Sequence, residues 1–172
     1  LKMDVNNLQL DQKFDRIISI EMFEHLRNYK LIFNSIYHLL KSDGRLFIHI
    51  FCHKKLTYLY EVKNNLDWMT KYFFQGGIMP SKDIFEYFEE ELEIINQWNI
   101  NGNHYSKTCS AWLNNHYKNK KKILDIFKKH YDEPKIWFNR WRIFFLSCEA
   151  FFALNKGKEY FVSHYLFKKR DR

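Results

Sequence analysis

Two short apolar runs, "FDRIISI" (Phe14–Ile20) and "RLFIHIF" (Arg45–Phe51), flank a segment with helical spacing, and this arrangement restricts the fold more than any other feature. "FDRIISI" is continuous and rich in β-branched residues, the pattern of a parallel strand buried on both faces, and "RLFIHIF" reads as another central strand. Between them Leu26, Tyr29, Ile32, Phe33, Ile36, Leu39 and Leu40 recur every three or four positions, which predicts a helix over residues 24–40. "KSDG" (Lys41–Gly44) closes that helix, with Gly44 placed to take a left-handed conformation past its end. Strand, helix, strand in this order is a βαβ unit, for which a right-handed crossover is expected.

After "CHKK" the pattern turns mainly helical. "DWMTKYFF" reads as helix, and "SKDIFEYFEEE" opens a further one on Ser81 as N-cap, with Asp83 and Glu86 in the first turn. "LEIINQWNI" (Leu92–Ile100) reads as a strand. A long helical region runs from about Ser106 and splits near Pro134, and "EYFVSHYLFKK" (Glu159–Lys169) reads as a strand bordering the sheet. The expected architecture is one α/β unit, the later half of such a sheet, with a helical acceptor-site region over about residues 55–157.

With 172 residues, 46% hydrophobic and 19% aromatic, the chain can bury a sizeable core, which excludes disorder. Its longest apolar run, Ile143–Leu154, contains Glu149 and falls short of the roughly 18 to 20 residues that cross a bilayer. The first residues carry no secretory pattern, so a cytoplasmic protein is the default. Cys52, Cys109 and Cys148 lie far apart with no CxxC pair, which argues against a disulfide framework and a zinc site. The formal charge of +8, densest in "KNKKK" and in "FKKRDR", fits an anionic partner or a face of solvated lysines. No RNA-binding aromatic signature accompanies these runs, so nucleic acid is not expected. Nothing in the residues specifies an oligomeric state.

Open α/β sheets that bind a nucleotide cofactor carry a Gly-rich turn after the first strand, and no GxGxxG exists here. The chain therefore reads as the C-terminal part of a longer protein or as an incomplete gene model. "FDRIISI" then has an unpaired hydrophobic edge, which predicts aggregation.

Ligands of such sheets bind outside the carboxyl ends of the strands. Glu21 follows the first strand and His49 lies near the end of the next, so two strands bring acid and base groups to one rim. Glu24 and His25 fall at the start of the intervening helix, where the dipole favours a carboxylate and disfavours a charged imidazole. That pair suits proton transfer near neutral pH, although acids in a first turn and a histidine at a rim also occur for purely structural reasons. His49 and His53, four apart, invite a metal reading, but they fall on a strand and its exit with no third ligand, so no metal is expected.

Five blocks in order, "FDRIISIEMFEHLRNYK", "GRLFIHIFCHK", "DWMTKYFFQGGIMPS", "NGNHYSKTCSAWL" and "WRIFFLSCEAFFALNKGKEYFVSHYLFKK", resemble the cyclopropane fatty acid synthase superfamily of S-adenosylmethionine-dependent methyltransferases. They look most like its coclaurine N-methyltransferase branch, over nearly the whole chain from about Asp4. The resemblance implies the C-terminal half of a Rossmann-like class I S-adenosylmethionine-dependent methyltransferase, with a helical insertion over the active site. The resemblance implies S-adenosyl-L-methionine as the cofactor, with its main binding motif outside this chain. By the resemblance, Glu24 lies at the methyl-acceptor site, Glu21, Glu24 and His25 surround the amine, and Glu24 with His25 deprotonates or positions it. In cyclopropane synthases the residues matching Glu24, His49 and Tyr105 hold bicarbonate. Those enzymes typically carry Gly where this chain has Glu21, and a carboxylate there suits a cationic amine better than an acyl chain.

Trp141, Phe144, Phe145, Phe151 and Phe152 are candidates for an apolar wall, with core packing the simpler role, and Tyr105 for the rim. Glu149 lies seven residues after Arg142 on the same helical face, so an internal ion pair stands open beside a substrate contact. Asp4 and Ile20 are candidates for the cofactor side. The expected function is transfer of a methyl group to the nitrogen of a small amine. Methylene transfer to unsaturated membrane phospholipid chains, and a non-catalytic fragment, are the alternatives.

Overall fold

The computed structural model describes residues 3–8 and 10–170; Leu1, and Asp171 and Arg172 of the terminal basic run, lie outside the described residues. The chain divides into two units, one made of Leu1–Ile100 with Val162–Arg172 and the other of Asn101–Phe161.

In chain order the first unit contains β1 (Phe14–Ile20), α1 (Tyr29–Leu39), β2 (Leu40–His53), β3 (Tyr58–Leu59), β4 (Ile78–Met79) and β5 (Leu92–Ile100), and is completed by β6 (Tyr160–Lys169). Four of these strands form a sheet in the order β1-β2-β6-β5, and β3 pairs with β4 separately. β1 and β2 are parallel, Ile17 facing Leu46 and Ile20 facing His49, so β1, α1 and β2 make the expected βαβ unit. β5 and β6 are antiparallel, from Leu92 opposite Lys169 to Ile100 opposite Val162.

The core of this unit lies between α1 and the sheet. α1 turns Tyr29, Ile32, Phe33, Ile36 and Leu39 inward, as its spacing requires. Phe85 meets Tyr165 edge-on at 4.8 Å, and Phe33 packs against Phe167 at 5.4 Å. Offset and edge contacts of this kind are the preferred geometry of aromatic pairs.

Several expectations are corrected. The helix expected from residue 24 begins at Tyr29, because Phe23–His25 wind a separate 3-10 turn and Leu26 is extended. Asn28 is the true cap, its side chain accepting from the Leu31 N–H at 3.2 Å. Gly44 is not left-handed: α1 ends on extended Leu40, and Lys41–Gly44 already belong to β2. They bulge there, since Phe14 faces Leu40 whereas Arg16 faces Arg45. What calls for glycine at this position is space, because a Cβ would lie 2.9 Å from Leu40 Cδ2 and 3.0 Å from the Lys41 carbonyl oxygen.

Nor is β1 buried on both faces. It is the edge of the four-stranded sheet among the described residues, and Ile18 and Ile20 are 66% and 61% exposed. β6, expected at the border, runs between β2 and β5, with Ser163 and Phe167 fully buried. Ser81 caps no helix; it bridges to His53, and a short 3-10 turn, Ile84–Phe88, starts from Asp83 instead.

The second unit holds α2 (Gly102–Lys118), α3 (Lys120–Phe127) and α4 (Pro134–Gly157). α2 starts before Ser106 because Asn101 caps it, accepting from the Asn103 N–H at 2.9 Å while its amide donates to the Lys156 carbonyl at 3.0 Å. α4 opens on Pro134, as expected, and its last turn passes into left-handed Asn155, Lys156 and Gly157. A Cβ on Gly157 would meet Asn101 Oδ1 at 2.2 Å, so this turn and the cap of α2 share one tight spot. No helix among the described residues is long and apolar enough to cross a membrane.

Candidate functional site

The rim of the sheet carries two carboxylate–histidine groupings, both in the first unit. Glu21 comes directly after β1 with φ 50°, a left-handed conformation uncommon outside glycine. Its N–H donates to the His49 carbonyl at 3.0 Å, continuing the ladder with β2. Glu21 Oε1 lies 3.0 Å from His49 Nε2, although outside the angles of a directed hydrogen bond. His49 Nδ1 in turn lies 2.9 Å from Nε2 of His164 on β6. One row of side chains thus crosses three neighbouring strands. Burial, and then His49, lower the His164 pKa below its ordinary value.

Glu24 is held by the 3-10 turn and is 1% exposed, and Oε2 has no hydrogen-bond partner among the described residues. Burial first, and the charge of Glu21 second, push its carboxyl up to about 8, against the pull of its own backbone N–H. His25 points the other way: its side chain is 51% exposed, its Nε2 lies 3.9 Å from Glu24, and its ring stacks on Phe74. At that separation the two are charge neighbours and not a hydrogen-bonded pair. Since neither belongs to α1, the helix dipole expected to tune them does not act on them.

A loop closes on this site through a glycine. A Cβ on Gly77 would lie 2.5 Å from the Glu24 carbonyl oxygen, so no other residue fits without displacing the turn. Arg27 ties the loop down by donating to the Tyr60 carbonyl at 3.2 Å and the Gly77 carbonyl at 3.4 Å. Tyr60 stacks on Phe74, which also meets Phe51 edge-on.

His53 does not join His49. Its Nδ1 accepts from the N–H groups of Lys55 and Leu56, at 3.0 and 2.7 Å, and so caps the turn leaving β2. In the second unit Tyr105 stacks on Phe152 at 4.4 Å, and Trp141, Phe144 and Phe145 pack on one another within 5.8 Å. Phe151 is 43% exposed and packs on Tyr160. Arg142 and Glu149 form no ion pair among the described residues; seven positions along a helix separate them by about 10.5 Å. Asp4 caps the first 3-10 turn, Val5–Asn7, accepting through Oδ1 from both nitrogens of Asn6 at 2.9 Å. Ile20 lies exposed at the end of β1.

Sequence reasoning missed His164, Tyr60, Phe74 and Gly77 as parts of this site. For His164 the signal was alternation along "FVSHYLF", which sets it on a different face from Ser163 and Tyr165. Nothing local marks Phe74 or Tyr60, whose roles come from loop closure.

The fold is that of S-adenosylmethionine-dependent methyltransferases. The chain belongs to the mycolic acid cyclopropane synthetase family, whose model matches residues 3–160. It is 36% identical over 175 residues to (S)-coclaurine N-methyltransferase of Papaver somniferum, covering 99% of this chain and 50% of that protein. A 106-residue stretch is 33% identical to cyclopropane-fatty-acyl-phospholipid synthase of Escherichia coli (strain K12), covering 60% of this chain and 26% of the synthase. The crystal structure of coclaurine N-methyltransferase bound to N-methylheliamine and SAH superposes with a TM-score of 0.88 at 36% identity, over 96% of this chain and 51% of that one. The chain thus spans about half the length of the curated relatives it matches.

Proposed function

We propose that this chain is the acceptor-side portion of an S-adenosylmethionine-dependent N-methyltransferase acting on a small amine. The observation that carries the reading is the pair of carboxylates at the rim, Glu21 beside His49 and the buried Glu24, close enough for the charge of Glu21 to act on Glu24. Two such groups repel each other until a cation arrives. A protonated amine relieves that repulsion and brings the Glu24 carboxyl down from about 8, which makes it a proton acceptor at neutral pH. The amine then passes its N–H proton to Glu24, and its lone pair becomes free to attack. Glu24 holds that proton; His25, half exposed and 3.9 Å away, is its charge neighbour on the solvent side and not a direct acceptor.

Bound S-adenosylmethionine supplies the electrophilic methyl group. The residues of this chain that fit it are exposed Ile20, which offers apolar surface at the strand end, and Asp4, whose Oδ2 is left open by its cap. In the second unit, ring packing already accounts for Tyr105, Phe144 and Phe145, so the proposal rests on the first unit. An acyl chain gains nothing from two carboxylates, which places phospholipid second. The reading carries a cytoplasmic setting, supported by the absence of a disulfide among the described residues.

The test is to incubate the full gene product containing this chain with S-adenosylmethionine and either a panel of primary and secondary amines or vesicles of unsaturated phospholipid. N-methylated amine by mass spectrometry is expected. Cyclopropane acyl chains with no amine product would sink the proposal.

A further inference from the structure

Resting on the amine-methylating reading of the rim, we propose that His164 is a positioning residue that locks His49 in its Nε2–H tautomer, so that the His49 N–H faces and orients the Glu21 carboxylate. The argument begins with the two nitrogens of one ring. His49 presents Nε2 to Glu21 Oε1 at 3.0 Å and Nδ1 to His164 Nε2 at 2.9 Å. A neutral imidazole carries a single N–H, so one of these faces is a donor and the other a lone pair. With the hydrogen on Nδ1, a lone pair would confront a carboxylate oxygen at 3.0 Å, which is repulsive. With the hydrogen on Nε2, the positive end of the N–H lies beside the carboxylate without aiming at it, which is attractive at 3.0 Å, and Nδ1 is free to accept.

His164 is the group that makes this second arrangement definite. Its Nε2 meets Nδ1 of His49 within hydrogen-bond geometry, whereas the Glu21 contact lies outside it. The directed bond in the row is therefore the one between the imidazoles, and His164 must donate it. The two rings are held 4.9 Å apart, and Phe47 packs on the His164 ring at 5.2 Å, so His164 has little freedom to turn away. β6 runs beside β2, which makes this support part of the sheet and not of a loop. Glu21, in its left-handed backbone conformation, thus meets a donor fixed from the next two strands.

The test is long-range proton–nitrogen NMR of imidazole nitrogens in the full gene product, labelled with nitrogen-15 histidine, at about pH 8, above the ordinary histidine range. Assignment follows from loss of signals in His49→Gln and His164→Gln. The expected wild-type result is His49 protonated on Nε2 with unprotonated Nδ1. His164→Phe, which keeps a ring but removes the donor, converts His49 to an exchanging mixture of tautomers. His164→Gln, whose amide can donate, restores the single Nε2–H form. Wild-type His49 protonated on Nδ1, or a His49 spectrum indifferent to His164→Phe, overturns the proposal. Should His164→Phe fail to fold, His164→Leu, equally without a donor, takes its place: an exchanging mixture supports the proposal and a single Nε2–H form overturns it. The readout needs no methyl transfer, so an enzyme inactive on every amine with His49 locked by His164 would refute the functional reading and leave this one standing.

Discussion

Glu24 and His25, adjacent in sequence, face opposite environments: the Glu24 carboxyl is buried 3.9 Å from an imidazole that is half in solvent. This asymmetry makes Glu24 the group whose protonation is linked to folding. Its carboxyl titrates near 8 in the folded chain and near 4.5 as an ordinary glutamate, so the folded state binds the proton more tightly. Its contribution is fully present below pH 4.5 and is lost progressively as pH rises to about 8. Glu24→Gln should remove this dependence and stabilise the protein at alkaline pH by on the order of a few kcal/mol. Denaturant melts of both proteins across that range check it; parallel curves would refute it.

The same substitution separates stability from chemistry. In the full gene product, Glu24→Gln should lower turnover by roughly 10²- to 10⁴-fold, the range of a lost acid–base group, despite the more stable fold. Lys120→Ala should leave turnover nearly unchanged, since Lys120 lies at the surface over the ring of Phe138. Equal rates for the two variants would remove Glu24 from the site.

Glu21 separates backbone strain from charge. At φ 50° a glycine is at ease, so Glu21→Gly should be more stable than Glu21→Ala by about 1 kcal/mol. Both should weaken binding of a cationic amine alike, because both delete the carboxylate beside His49. Thermal melts and amine titration read the two effects independently.

Gly102 is expected to tolerate no side chain. A Cβ there would lie 2.1 Å from the Tyr160 carbonyl oxygen and 2.5 Å from that of Phe152, both backbone atoms that cannot swing aside. Gly102→Ala should cost roughly 2 to 4 kcal/mol, measured as a drop in the denaturation midpoint.

Ile18→Lys should reduce self-association of the 172-residue chain without lowering its melting temperature. Ile18 is two-thirds exposed on the open edge strand, where a charge blocks strand addition and removes no packing. Light scattering against concentration is the measurement.

The βαβ unit was legible because each of its parts is written locally: β1 begins and ends where its apolar run does, and α1 buries the residues its period selects. The errors arose where long-range contacts decide. Asn28 outcompetes Glu24 as the start of the helix because Leu26, packed against the core, takes extended backbone and separates the 3-10 turn from α1. The interior place of β6 depends on pairing with segments far away in sequence, and alternation alone does not distinguish a border from a centre. For the site, Glu21, Glu24 and His49 were visible because strand ends are where such sheets bind ligands. His164 was not, since its partner is His49, more than a hundred residues earlier.

The clasp between Asn101 and the left-handed turn at Lys156 and Gly157 has a consequence for how such a protein changes over time. The chain leaves β5 at Ile100 and resumes at Val162, its direct partner across the ladder, so everything between them is a bead on a single hairpin. With its two ends stapled by Asn101 and Asn103, which both donate to the Lys156 carbonyl, that bead can be lengthened, trimmed or exchanged for another without shifting the register of either strand. A lineage can therefore remodel residues 101–161 while the carboxylates and imidazoles of the rim keep their places.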